Sequence, residues 1–300
     1  MKKCTFLWVV VLMVVIMTVA VEAAELKVSN ELLRGETSYI IRGEESGGWK
    51  SRLDFPLNVN LWALNYQKNF EIRDYFLQAE VTYKNNYFDS SAGTFRDRDW
   101  VYGFDDDVLV YGEAQNELDV DIIDVNITAP VAKLQEGKVS AKAGVLYEYF
   151  DMYGYDLIQE SDYFPELNIE YEGRVIEYEV EYWIPYLGLN LEDRISELPL
   201  KYSIMVNYSP LVRVSDYDDH LLADKISEIE ARGTAFNLGA DLDYSLQEEL
   251  SITGSVSYWN VEASGIQEQR EYSGEIIDDD IDAEIFSDQL SLGLGVTYLF

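Results

Sequence analysis

The last twelve residues, Gln289-Leu-Ser-Leu-Gly-Leu-Gly-Val-Thr-Tyr-Leu-Phe300, constrain this chain more than any other stretch. Large apolar side chains stand at Leu290, Leu292, Leu294, Val296, Tyr298 and Phe300. Small or polar ones stand at Gln289, Ser291, Gly293, Gly295 and Thr297, and Leu299 is the one departure. Successive side chains on a strand point to opposite faces, so this is a strand with one greasy face. A greasy face on a terminal strand reads as lipid-facing rather than core-facing.

The same dyad recurs along the chain. Phe55, Leu57, Val59, Leu61 and Ala63 alternate with Asn58, Asn60 and Trp62. Ile176, Tyr178, Val180, Tyr182 and Ile184 alternate with Glu177, Glu179, Glu181 and Trp183. Leu118, Val120 and Ile122 alternate with Asp119 and Asp121, and the parity then slips at Ile123, as a β-bulge would make it do. Carboxylates inside such alternations fit a polar barrel lumen better than a sandwich core. A sheet that spans lipid must close, because open edges cannot be hydrated there. The fold class is therefore all-β, a transmembrane antiparallel barrel of about ten strands. The expected strands are 27–41, 49–64, 72–87, 108–129, 138–150, 174–187, 200–215, 233–245, 250–262 and 286–300. Short turns are expected at 65–70, 130–137, 188–199 and 246–249, and long acidic outer loops at 42–48, 88–107, 151–173, 216–232 and 263–288. An even count returns both termini to the periplasm, and a closed barrel of this size is expected to be a monomer.

The N-terminus fits that destination. Lys2 and Lys3 precede an apolar run from Phe6 to Val19, followed by small residues near Ala23. This reads as a secretory signal peptide over residues 1–23, with one barrel domain over 24–300. Cys4, the only cysteine, falls inside the signal. The chain carries 22 basic and 56 acidic residues, a net charge of −34. That charge repels phosphates and argues against nucleic acid, and it favours cationic partners such as basic peptides.

Two constellations could carry chemistry. The single histidine lies in Ser215-Asp-Tyr-Asp-Asp-His220. In an extended chain Asp216, Asp218 and His220 share a face, and a carboxylate can orient the imidazole. Asp97 and Asp99, in Asp97-Arg-Asp-Trp100, likewise share a face and can hold a water between them. Alone, a loop histidine is as readily a solvated side chain, and an Asp-x-Asp an acidic loop or weak calcium site. The expected topology puts both pairs at the outer mouth, where they could activate water for amide hydrolysis. Two other readings stay open. One is a non-enzymatic adhesin or cation-binding barrel; the other, a barrel lipid hydrolase, lacks a serine placed beside the histidine.

At these residues the chain resembles the omptins, ten-stranded outer-membrane barrel proteases that cleave next to basic residues. Tyr208-Ser-Pro-Leu-Val-Arg-Val-Ser-Asp-Tyr-Asp-Asp-His220 resembles the family's Tyr-Ser-x-x-Val-x-x-Ser-Asp-x-Asp-x-His run. Ile184-Pro-Tyr-Leu-Gly-Leu189 resembles its Pro-Tyr-Ile-Gly-Leu strand end, and Asp97-Arg-Asp99-Trp100 its Asp-x-Asp-Trp. Glu44–Gly48 and Leu53-Asp54 are similar to its first outer hairpin. The C-terminal strand ending on an aromatic residue also resembles that of Gram-negative outer-membrane barrels. The resemblance implies that His220, oriented by Asp218, is the general base. It implies that Asp97 and Asp99 hold the water, and that Asp216 lines the pocket for a basic side chain. It implies basic peptide or protein substrates, outer-membrane lipid as surroundings, an outward-facing site and no metal. Lipopolysaccharide is the one candidate activator. The family's Trp-Thr-Asp-x-Ser-x-His-Pro signature is absent. The arginine that helps it bind lipopolysaccharide is replaced within Leu146-Tyr-Glu-Tyr-Phe-Asp151, and its second pocket carboxylate falls near Ser38–Tyr39.

Overall fold

The computed structural model describes residues 24–43, 48–73, 75–88, 90–101, 107–135, 137–195 and 197–300. The expected signal peptide and residues 44–47 of the first hairpin lie outside them. Twelve antiparallel strands form one sheet: β1 (Ala24–Gly43), β2 (Trp49–Pro56), β3 (Val59–Ile72), β4 (Tyr75–Asn85), β5 (Ser91–Val101), β6 (Val110–Lys133), β7 (Lys138–Glu160), β8 (Ile169–Ile195), β9 (Leu200–His220), β10 (Lys225–Ser245), β11 (Leu250–Glu271) and β12 (Ile276–Leu299). The ring closes through β1 and β12, in unbroken register from Glu25 opposite Leu299 to Arg42 opposite Asp282.

Twelve strands make ten crossings, the expected number. β2 and β3 are one pass interrupted at Leu57-Asn58, and β4 and β5 are one pass interrupted after Asn85. Near the termini β1 pairs with β3 and β4 with β6; near the opposite mouth β1 pairs with β2, and β5 bridges β2 and β6. The partner switch on β1 falls at Gly35. Its φ of +136° disfavours any side chain, and a Cβ there would collide with the Asp288 carbonyl. At the second interruption side chains replace the ladder. Asn85 Nδ2 donates to Val120 O (2.7 Å) and Asn86 Nδ2 to Leu118 O (2.6 Å), while Asn86 Oδ1 accepts Val120 N–H (2.8 Å).

The mouth bearing the termini is called lower here, and the opposite one upper. In the lower half the outer face is apolar: Phe236, Leu238, Leu242 and Tyr244 on β10, and Leu290, Leu292, Leu294, Val296 and Tyr298 on β12, are all exposed. Phe236 to Tyr244 covers nine positions, roughly 20 Å of height for a tilted strand at about 3.3 Å rise per residue. That is a lipid belt edged by aromatic rings. Inside it the lumen is polar, with a cavity of about 760 Å³ lined by Lys27, Glu31, Lys84, Asp124, Lys142 and Asp241 among others. Lys84 pairs with Glu31 at 2.6 Å and Lys27 with Asp241 at 3.4 Å.

The upper half reverses this. Phe55, Leu57, Leu61, Leu118, Phe150, Met152, Tyr178, Val180, Tyr182 and Ile184 fill the interior in one apolar cluster. Glu177, Glu179 and Glu181 are turned outward, not into the lumen as expected, and Tyr149 donates to Glu179 on that outer face (2.5 Å). The slip at Ile123 is the same reversal and not a bulge. Register with β7 runs unbroken from Gln115 to Pro130, while the apolar residues change face between Ile122, buried, and Ile127, exposed.

The expected long outer loops are mostly strand. β9 and β10 are joined by residues 221–224 and β11 and β12 by 272–275; only 161–168, with a 3-10 turn at Pro165–Leu167, is longer among the connections fully described. The turn expected at 65–70 is interior to β3, which runs on to Ile72, and β4 begins at Tyr75. These segments look like loops in sequence because they stand clear of lipid and carry charge outward.

Candidate active site

β5 and β9 face each other across the upper lumen, separated in the ring by β6, β7 and β8 on one side. On β5, Arg96, Arg98 and Trp100 alternate with the inward Asp97 and Asp99. Buried Asp54 on β2 clamps this edge, ion-pairing with Arg52 (2.6 Å) and with Arg98. On β9 the inward positions run Val212, Val214, Asp216, Asp218, His220. The extended conformation that puts these three on one face is thus present, and β9 ends at His220.

The register stacks the site in two layers. The lower layer holds Tyr39, Leu53 and Asp97 in a row across β1, β2 and β5, facing Tyr178 and Asp218 on β8 and β9. The upper layer holds Ile41, Ser51 and Asp99, facing Ile176, His220 and Lys225. His220 Nε2 lies 3.0 Å from Asp218 Oδ2; Asp218 is fully buried, and the His220 side chain is 22% exposed. If Nε2–H is donated to this carboxylate, the other ring nitrogen carries the lone pair. Asp97 Oδ1 and Asp218 Oδ1 are buried and accept no hydrogen bond from the described protein groups.

Asp97 and Asp99 lie on β5, clear of the lipid belt. Burial holds the Asp97 carboxyl well above the usual carboxylate range, reinforced by the charges of Asp99 and Asp218 and opposed by Lys225. Burial also raises Asp99; a hydrogen bond from Ser51 and the charges of Lys225 and His220 pull it back. The charge of Asp99 thus favours the protonated form of Asp97. Among the described residues no group of three or more His, Cys, Asp or Glu side chains is arranged to hold a metal ion.

Asp97, Asp99, Asp218 and His220 therefore meet at one mouth. Asp216 sits one layer deeper. Its Oδ1 accepts the Ile229 N–H (2.7 Å) and its Oδ2 the Tyr178 hydroxyl (3.1 Å). Three neighbours escape the sequence reading. Tyr39 donates its hydroxyl to Asp218 Oδ2 from across the barrel. Ser51 and Lys225 reach Asp99 only through the register of β2 and β10. No local motif marks any of the three.

A closed ten-pass antiparallel barrel, with a carboxylate–histidine cluster inside the mouth remote from its termini, defines a class of bacterial outer-membrane protein. The chain belongs to the omptin family, whose model matches residues 21–300, and this membership indicates a Gram-negative outer-membrane protein. Among solved structures it is similar to the outer membrane protease OmpT from Escherichia coli, with a TM-score of 0.80 and 16% identity, over 93% of this chain and 97% of that one. The translocator domain of the autotransporter NalP from Neisseria meningitidis aligns with a TM-score of 0.41 and 8% identity, over 94% of this chain and 90% of that one. No curated protein matches the sequence.

Proposed function

We propose that this chain is an outer-membrane endopeptidase, its upper mouth facing the cell exterior, that hydrolyses peptides without a covalent intermediate. The observation that carries the reading is the level-by-level opposition of Asp97 and Asp99 to Asp218 and His220. A water held between them loses a proton to His220, which Asp218 orients and stabilises as the imidazolium forms. The water oxygen bonds to the peptide carbonyl carbon. The tetrahedral species then collapses, the C–N bond breaks, and the leaving nitrogen takes the proton from the imidazolium. General-base help of this kind contributes typically 10²–10⁴ in rate.

The −34 net charge supports basic peptides or proteins as substrates, drawn to the mouth by the field of the whole barrel. Lipopolysaccharide is proposed as an activator only; the chemistry uses side chains alone, and the working unit is the monomer. The test is cleavage of a quenched library of basic peptides by refolded protein, with and without lipopolysaccharide. Wild type is expected to cleave, and His220→Ala and Asp97→Ala to lose at least about a hundredfold in kcat. Equal turnover by the His220→Ala barrel would remove the mechanism.

A further inference from the structure

The floor of the site is aromatic. Tyr178, fully buried, lies flat on Phe55 (centroids 4.4 Å apart, planes 11° apart), and Phe55 stacks on Phe95 (4.7 Å). Tyr39, equally buried, leans on Tyr178 at 5.5 Å. The four rings come from β1, β2, β5 and β8: Tyr39 and Tyr178 stand at the level of Asp97 and Asp218, and Phe55 and Phe95 one layer deeper. Directly among them sits Asp216, only 8% exposed, with one oxygen taken by a backbone N–H and the other by Tyr178. The 760 Å³ cavity lies in the lower half; neither these rings nor the site carboxylates are part of its wall.

A substrate's basic side chain needs an accessible, ionised carboxylate. To reach Asp216, a guanidinium would have to part Tyr39 from Tyr178 and displace a hydroxyl. Burial and the neighbouring Asp218 also hold the Asp216 carboxyl well above the usual range, which disfavours its charged form. We infer that Asp216 anchors Tyr178 rather than binding substrate, and that Tyr39 and Tyr178 form a closed floor admitting only a small, uncharged side chain just before the scissile bond. Tyr39 is also a positioning residue, because its hydroxyl holds the Asp218 oxygen that faces His220. The inference rests on the protease reading and sharpens it. Basic character is selected at a distance, by charge, and not at the cut.

The test uses quenched peptides with identical basic flanks that differ only in the residue before the cut: Ala, Ser, Arg or Lys. Wild type is expected to favour Ala over Arg by at least about tenfold in kcat/KM. Tyr39→Gly, which opens the floor, is expected to shrink that ratio, whereas Tyr39→Phe keeps the ring and keeps it. Wild type cleaving the Arg peptide as fast as the Ala peptide would overturn the inference while leaving the protease reading standing. A second measurement is independent of turnover. The chain has one histidine, so the His220 ring resonance reports on the site. Agmatine, a free guanidinium probe, is expected to cause no saturable shift in wild type. A saturable shift that vanishes in Asp216→Asn would defeat the closed floor, even in a barrel that cleaves nothing. In Tyr39→Phe, kcat on the Ala peptide is expected to fall with KM unchanged, because Asp218 loses the hydroxyl that fixes its oxygen. An unchanged kcat would remove the positioning role.

Discussion

The lower and upper halves of this barrel share their strands but not their solvent. Below, Leu290 to Tyr298 turn apolar side chains outward, and the lumen holds Lys84–Glu31 and Lys27–Asp241 pairs. Above, Phe150, Tyr178 and Tyr182 are turned inward while Glu177, Glu179 and Glu181 face out. Each half obeys its surroundings. Lipid rewards greasy exteriors and leaves polarity to the lumen, whereas water rewards the reverse. The difference teaches that the site stands on a water-soluble scaffold, with a packed core under it, carried by a membrane anchor. The geometry of the site therefore depends on core packing, and insertion depends on the belt.

Several substitutions probe that division. Phe150→Ala should be the most damaging to stability. It empties a fully buried ring position in the upper core and is expected to cost about 3–5 kcal/mol, read from urea unfolding in lipid vesicles. A cost below about 1 kcal/mol would mean that the upper interior is not close-packed. Leu292→Arg puts a charge on the lipid face and should cost about 2–4 kcal/mol in the same assay. Near-zero cost there would move the belt.

Asp97→Asn separates the halves by pH. The raised Asp97 carboxyl keeps in the folded barrel a proton that the unfolded chain releases. Wild type is thus destabilised as pH rises from the ordinary carboxylate value, about 3.9, through the raised folded value. The variant lacks that loss. It should match wild type at low pH and become progressively more stable than wild type towards neutrality, in the temperature at which the barrel unfolds on a gel. The opposite slope would place Asp97 in an ion pair. The smallest effect belongs to the upper outer face: Glu230→Gln, at an exposed position on β10, should stay within about 0.5 kcal/mol of wild type, as exposed charges do.

This division explains what the sequence could reveal. The C-terminal dyad is readable because lipid demands an unbroken greasy face, and the ten crossings follow from it and its repeats. Period two does not say which face is inside, however. The apolar set 55–63 and the set 176–184 look like the set 290–298 but point the other way. The carboxylates of Glu177 to Glu181 read as lumen-facing from the sequence for that reason, and the barrel turns them outward. The Asp218–His220 pair is legible because two residues of spacing on a strand fix one face. Tyr39 is not, since its partner lies 179 positions away on a strand across the ring. Ser51 and Lys225 depend on register, which no local pattern encodes.

The seam between β1 and β12 has a kinetic consequence. Until it zips from Glu25–Leu299 to Arg42–Asp282, the sheet has two bare edges, and the residues that must meet lie at the two ends of the barrel sequence. The entropy of bringing them together must be overcome before either edge is satisfied, so closure carries the largest loop cost of any strand pairing in the barrel. A chain that has lost β12 would retain both edges unpaired, exposed to aggregation rather than settled in lipid. The twelve residues that disclose the fold are thus also its lock, and the upper mouth cannot close as a ring ahead of them.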